Sequence, residues 1–360
     1  MIKQKQLALC LSAIISGSYS MISLASAETP DIDVETYGQV NLGYMMGDTG
    51  DGSKSYVVDN DNSASRVGAK LSGRVEELNV TVGAHVELEY QHNASNVVTP
   101  DVRNVDGEFS ERQLNLFVQG DFGKVSLGQG DGAANGNVEV DLSGTKVVSF
   151  TNPALVGGAL AFIDEAGGTQ VALKSAMTDQ DFESRYDRLR YDAPALGPVR
   201  LALSQGVKDS NDVTELGARF SLPLAGKVSG GLGYSVKDVG GVTGDVTTLG
   251  GSLSWLHDSG VNLTGAYSRV EDDDNANPDS DFYLVKLGYK QGRHAVDLHL
   301  AEAKDRVADG DTAETLGVGY VYTPVPWLNL YAGYNHHTLD RDSGDYDDVN
   351  TLLMGGNVKF

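Results

Sequence analysis

Residues Leu78 to Tyr90 read L-N-V-T-V-G-A-H-V-E-L-E-Y, and their two parities differ in kind. Leu78, Val80, Val82, Ala84, Val86, Leu88 and Tyr90 form one set, and Asn79, Thr81, Gly83, His85, Glu87 and Glu89 form the other. A strand sends successive side chains to opposite faces, so this stretch has one wholly apolar face and one polar or small one. Helical spacing would scatter the histidine and both glutamates round a cylinder. At ~3.3 Å per residue the stretch covers roughly 43 Å, or about 30 Å along a bilayer normal when tilted by ~45°. That is enough to cross a membrane and longer than most soluble strands. A sandwich strand with one wet face alternates in the same way, so the rest of the chain has to separate the two.

The chain begins with Lys3 and Lys5, then the apolar run Leu7 to Ile15, then Ala25-Ser26-Ala27 ahead of Glu28. Basic, apolar and small-x-small is the order of a secretory signal, so residues 1–27 are expected to be a signal peptide and 28–360 a single barrel domain. The apolar run is too short to span as a helix. The only cysteine, Cys10, lies within it, and Leu9 precedes it where a lipid-anchor motif requires a small residue. The expected mature chain therefore forms neither a disulfide nor a thiolate metal site. A formal net charge of −23 argues against nucleic acid as a partner. No run of apolar residues is long enough for a transmembrane helix, and no proline-rich or charged linker marks a second domain.

The alternation recurs along the chain. It is found in Val34 to Tyr44, Ser65 to Arg74, Phe109 to Gln119, Val125 to Gln129, Arg185 to Tyr191, Val199 to Gln205, Val213 to Leu222 and Lys227 to Lys237. It continues in Asp245 to His257, Val261 to Val270, Asp281 to Lys290, His294 to Lys304, Ala313 to Thr323, Trp327 to His337 and Asp348 to Phe360. With the opening stretch these make sixteen candidate strands. Short connections alternate with long acidic ones, as at Asp48 to Asp61, Glu271 to Asp281, Asp305 to Asp311 and Asp340 to Asp348. Gly47 to Asn62 reads as a Gly/Asp/Ser/Asn loop. Gly130 to Glu183 is the longest connection, and loops of that length in compact folds are functional or disordered. A hairpin of Ala159 to Ile163 and Thr169 to Ser175 offers an eighteen-strand alternative.

Tight turns at one end and long loops at the other are the asymmetry of an outer-membrane barrel and not of a sandwich. The fold class is therefore all-β, a transmembrane antiparallel β-barrel. Its physical cause is the solvent: an unpaired backbone N–H or C=O in hydrocarbon costs several kcal/mol, so spanning strands must close on themselves. The last strand, with Leu352, Met354, Val358 and Phe360 outward, is expected to pair with Val34 to Tyr44. Tyr44, Tyr90, Tyr234, Tyr267, Tyr283, Tyr320 and Tyr334 fall near strand ends, as interfacial girdles require.

Parity puts Arg66, Lys70, Arg74, Arg188, Arg190, Arg200 and Arg219 on the water-facing side of their strands. Arg112 shares parity with Leu114, Leu116 and Val118, and faces outward unless a bulge intervenes or the strand is buried at a subunit contact. Asp131, Glu139 and Asp141 open the long connection. Basic wall facing acidic loop across a narrow gap would favour small polar solutes over apolar ones. The alternative is that the arginines only line a wet lumen. Asp59-Asn60-Asp61-Asn62 starts like a calcium loop, but Ala64 stands at its sixth position and Lys70 at its twelfth. Loose Ca²⁺ or Mg²⁺ at the acidic loops is the one metal association expected, with no other cofactor. Gly128-x-Gly130-x-x-Ala133 lacks a βαβ setting, and His336 and His337 lie on opposite faces. No Ser/His or Asp/His constellation is bound by spacing, so no enzyme is expected.

Ser65-Arg66-Val67-Gly68, Arg112, the run Gly120-Asp121-Phe122-Gly123-Lys124-Val125-Ser126-Leu127-Gly128-Gln129, Leu189-Arg190-Tyr191-Asp192-Ala193-Pro194 and the terminal Phe360 resemble Gram-negative general porins. The resemblance runs in order and spacing along the mature chain. It implies a sixteen-stranded, homotrimeric barrel in the outer membrane that passes small hydrophilic solutes and ions. It also implies a long third loop folded into the lumen, with wall arginines facing its acids. Arg66, Arg112 and Arg190 match the wall arginines. With Lys70 and Arg188 they make the expected basic wall, and Asp131, Glu139 and Asp141 the expected acidic side. The loop lacks the Pro-Glu-Phe-Gly-Gly-Asp motif of some porins. Contacts with outer-membrane lipid and lipopolysaccharide follow from the same resemblance, and Phe360 is similar to the signal read by the barrel assembly machinery. A channel specific for phosphate, sugars or oligosaccharides, and a non-conducting structural or adhesin barrel, are the alternatives.

Overall fold

The computed structural model describes residues 32–166, 170–239, 244–273 and 278–360. The expected signal peptide lies outside them. The strands are β1 (Ile32–Asp48), β2 (Ser53–Asp59), β3 (Arg66–Val75), β4 (Val80–Gln91), β5 (Glu108–Gly120), β6 (Gly123–Gly130), β7 (Ala161–Ile163), β8 (Gln170–Ala172), β9 (Tyr186–Asp192) and β10 (Val199–Lys208). They continue as β11 (Asn211–Leu222), β12 (Lys227–Asp238), β13 (Asp245–Leu256), β14 (Val261–Asp272), β15 (Ser280–Gln291), β16 (His294–Lys304), β17 (Thr312–Val325), β18 (Leu328–Asp340) and β19 (Val349–Lys359). β2 and β3 pair with successive parts of β1, so together they make one wall strand interrupted by a turn. The wall is thus sixteen antiparallel strands, closed where β1 meets β19. Phe360 completes the seam: its N–H donates to the Gly38 carbonyl at 3.0 Å and its carbonyl accepts from the Gly38 N–H at 2.9 Å.

Alternation sets which face is which. On β15, Tyr283, Val285, Leu287 and Tyr289 are exposed, whereas Phe282, Leu284 and Lys286 are buried. All seven expected girdle tyrosines are exposed on the outward parity. Apolar residues outside are stable only against hydrocarbon, where the closed ladder leaves no unpaired edge.

Two expectations change, and one connection is shorter than the expected strand limits left it. Gly47 to Asn62 is not a loop: β1 runs on to Asp48, a four-residue turn follows, and β2 begins at Ser53. The Gly and Ser content that suggested a loop belongs to a hairpin whose partner strand breaks at Asn60, where the side chain caps a short 3-10 turn. The connection between β10 and β11 is only Asp209-Ser210, both left-handed at φ 50° and 71°, as a type I′ hairpin turn requires. Finally, β7 and β8 pair only with each other, so the hairpin exists but the barrel has sixteen strands, not eighteen.

The described parts of residues 131–185 lie against the inner face of the wall. Backbone N–H groups of Ala133, Val140 and Leu142 donate to Ser204, Ser252 and Ser254 on β10 and β13, at 2.8, 2.9 and 2.9 Å. Farther round, Asn60 donates to the Val147 carbonyl at 2.7 Å. Leu160, Phe162, Val171, Leu173 and Met177 of this segment pack on Met45, Tyr56, Val58, Phe282, Leu284, Tyr331 and Leu353, which point inward from β1, β2, β15, β18 and β19. Those inner positions are dry, against the expectation of a wet inner face throughout. Burial of both apolar sets at about 25 cal/mol per Å² holds the segment to this side of the barrel.

Candidate functional site

Val80 to Tyr90 of the opening stretch belong to β4, Leu78 and Asn79 forming the turn before it, and the inner face of β4 sets the first group of charges. Glu87 pairs in register with Gln113 and Leu88 with Glu111, so Arg112 is the extra residue of a β-bulge on β5. The bulge turns Arg112 inward, 2.6 Å from Glu87 and in contact with Glu89. Arg66 on β3 lies 3.6 Å from the same Glu87. Tyr37 donates to Glu87 at 2.6 Å and lies 2.7 Å from His85 Nε2. The two arginines with the best motif match are therefore neutralised by wall carboxylates. Among the described residues neither forms an ion pair with Asp131, Glu139 or Asp141. β4 sits between β3 and β5, and cross-strand neighbours on one face meet at close range.

The remaining inner cations have other partners. Arg188 is buried and donates to the carbonyls of Gly128 at 2.7 Å and Asp131 at 3.1 Å. Arg219 donates to Asn137 Oδ1 and, at 2.7 Å, to the Asn135 carbonyl. Arg190 pairs with Asp192 at 2.7 Å and donates to the Gly132 carbonyl at 2.7 Å. Lys70 lies over the Tyr37 ring at 5.3 Å, Lys124 over Phe117 at 4.4 Å and Lys146 over Phe150 at 4.6 Å. Backbone carbonyls and ring faces orient a cation but leave its charge uncancelled. Lys124, Arg188, Arg190, Arg200 and Arg219 line a recess of about 670 Å³ with His85, Asp131 and Asp192. A second recess of about 490 Å³ joins Arg190, Arg219 and Lys146 to Asp131 and Glu139. Sequence reading missed Lys124 and Lys146, which sit in a turn motif and in an aperiodic segment where parity carries no information.

The three expected loop acids line the second recess together but have different partners. The Asp131 carboxylate accepts from Gln113 at 3.1 Å, and its carbonyl serves Arg188 and Arg190. Burial raises the Glu139 pKa above the ordinary carboxylate range, against the pull of Lys146 and Arg219. Asp141 also borders the second recess, but its side chain is buried 2.9 Å from Lys286 on β15, and that lysine is its ion-pair partner. Burial pushes its carboxyl up, but Lys286 and the Ser143 hydrogen bonds outweigh that and hold it below the usual value. Two unpredicted acids join Glu139. Burial, then the Glu139 charge, pushes Asp179 up to about 8. The same causes raise Asp181, which accepts from the N–H groups of Gly136 and Val138. Among the described residues no group of three or more His, Cys, Asp or Glu is arranged to hold a metal ion.

The family model of the Gram-negative porins matches residues 13–342. The chain belongs to the Gram-negative porins. Among solved structures, the anion-selective porin from Comamonas acidovorans is 17% identical, with 92% of this chain and 100% of that chain covered and a TM-score of 0.63. The trimer form of in-vitro folded OmpT of Vibrio cholerae is 16% identical, with 91% and 99% covered and a TM-score of 0.58. A mutant of the Rh. blastica porin is 14% identical, with 91% and 100% covered and a TM-score of 0.55. At such identities the likeness is one of fold. No curated protein matches the sequence. This porin is an outer-membrane channel for passive diffusion.

Proposed function

We propose that the channel prefers anions, and that it acts by diffusion through a charged, water-filled gap rather than as an enzyme. The observation that carries this reading is the partnering of the inner cations. Arg66 and Arg112 are cancelled by Glu87 and Glu89, but among the described residues Lys124, Arg188, Arg200 and Arg219 have no carboxylate within ion-pair distance. In a narrow, low-dielectric passage such fixed charges raise the local concentration of the opposite ion. The bulk charge of −23 does not oppose this, because much of the acid sits in the loops at one end. Arg188, Arg190 and Lys70 keep their assignment to the basic side. Arg66 and Arg112 become the braced part of the wall, and Asp131 and Glu139 oppose the cations from residues 131–185, the narrowing segment.

The reading takes the assembly as a homotrimer, supported by the trimer form of a solved relative. It places loose divalent cations, and through them lipopolysaccharide, at the acidic loop ends, and gives Phe360 to the assembly machinery. Purified protein in planar bilayers should show stepwise conductance that rises linearly with salt. Saturation or block by a particular solute would favour a substrate-specific channel, and absence of conductance would favour a plugged barrel.

A further inference from the structure

One inner carboxylate plays no part in the charge balance just described. Glu215 points inward from β11, fully buried, and accepts two backbone hydrogen bonds that come from opposite ends of the inner segment. Its Oε2 accepts from the Ala134 N–H at 3.1 Å, and its Oε1 from the Glu183 N–H at 3.1 Å. Ser204 on β10 accepts from the adjacent Ala133 N–H at 2.8 Å and lies 2.9 Å from the Tyr186 hydroxyl. The fit is close: a Cβ on Gly132 would fall 1.8 Å from Glu215 Oε2, and one on Gly217 would fall 2.0 Å from the Ala133 carbonyl oxygen. The outgoing limb, residues 131–137, therefore lies directly on β11, with the N–H groups of Ala133 and Ala134 turned to the wall.

The carbonyls of that limb serve the cations. Arg190 donates to those of Asp131 and Gly132, and Arg219 to that of Asn135 and to the Asn137 side chain. A guanidinium is planar, and its donors form a rigid fork, so the positions of its acceptors fix its direction. We propose that Glu215 is a positioning residue for charge selection: by pinning both limbs of the inner segment to β11 it fixes the acceptors that aim Arg190 and Arg219 into the gap. This rests on the anion-preferring reading of those arginines. A residue that only stabilised the barrel would change its melting and leave ion preference alone.

The test uses full-length protein from outer membranes, with Glu215→Gln and Glu215→Ala compared with wild type. The amide of Gln sets an NH₂ against one of the two N–H donors, and Ala removes both acceptors. Amide exchange at residues 133–137 and 183 should rise by about tenfold, the change that losing a hydrogen bond of ordinary net strength produces. The anion-to-cation permeability ratio should fall by about twofold, and wall-strand amides should exchange as in wild type. Ser204→Ala, which removes the acceptor of the Ala133 N–H and the contact with the Tyr186 hydroxyl but leaves both backbone bonds to Glu215, should give a smaller change of the same kind and serves if the Glu215 variants fail to assemble. Unchanged exchange in the limb, or faster exchange with an unmoved permeability ratio, overturns the proposal. Failure of the anion reading is seen separately, in a wild-type protein without anion preference. The positioning role is then judged by whether limb exchange and the permeability ratio still move together.

Discussion

Two halves of the same inner wall obey the same alternation and end in opposite environments. On β1, β2, β15, β18 and β19 the inward positions hold Met45, Val58, Phe282, Tyr331 and Leu353, and the inner segment covers them. Within that half Lys286 and Asp141 are 1% and 2% exposed and bound to each other. On β3 to β6 and β9 to β11 the inward positions hold Arg66 and Arg112, paired with Glu87, and Lys124, Arg188, Arg190 and Arg219, which line the recess. Parity decides which way a side chain points. What it meets there is decided by a segment with no period of its own. The inner segment therefore covers one side of the wall, and the proposed anion preference assigns the solute path to the basic side.

The sharpest way to break the comparison is Lys286→Ala. Removing one partner of a buried ion pair costs about 3–5 kcal/mol because the other charge is left unpaired. The inner segment should release from β15, seen as a larger single-channel conductance and protease cutting within residues 131–185, with the barrel still folded. A close second is Phe282→Ala on the covered half, with an expected loss of about 3–5 kcal/mol in thermal or denaturant unfolding. Its neighbour Val285→Ala points outward and should cost less than about 1.5 kcal/mol. Equal losses at the two sites would erase the distinction between dry inside and lipid outside.

On the open half the effects are smaller and electrical. Arg219→Ala should lower the anion-to-cation permeability ratio by roughly threefold, under about 1 kcal/mol of selectivity. Arg66→Ala should change it less, since Glu87 keeps Arg112 as a partner. The reverse order would show that motif, not partnering, locates the selecting charge. The pH dependence sharpens the same point. Asp179, Asp181 and Glu139 bind protons more tightly in the folded protein than in the unfolded chain. Their contribution to the packing of residues 131–185 is thus complete below about pH 4 and is lost as pH rises through the folded value, about 8 for Asp179. Their ionisation also adds negative charge beside Lys146, Arg219, Arg185 and Asp131. Anion preference should therefore be weaker at pH 9 than at pH 6, and protease susceptibility of the segment greater. Asp141 has the opposite sign, its support from Lys286 fading only in acid, below the usual carboxylate range.

Most of the wall was legible because strand facing repeats every two residues and lipid enforces it at every turn. The sixteen strands, the closing pair and the outward tyrosines follow from that single constraint. The facing of Arg112 hung on a bulge, which depends on register with β4 and has no local signal in the sequence. The interrupted strand of β2 and β3 was hidden by turn-forming residues that serve a 3-10 turn within it. Asp141, Asp179 and Glu215 were beyond reach for another reason. Their roles come from tertiary contacts between an aperiodic segment and strands up to 145 residues away.

The most direct test of the account is the zero-current potential of the wild-type channel across a tenfold KCl gradient at neutral pH. Uncancelled Lys124, Arg188 and Arg219 predict the sign of chloride preference, reduced by salt as screening shortens the reach of fixed charge. A potential with the sign of potassium preference would contradict the assignment of the open half of the wall as the selecting surface.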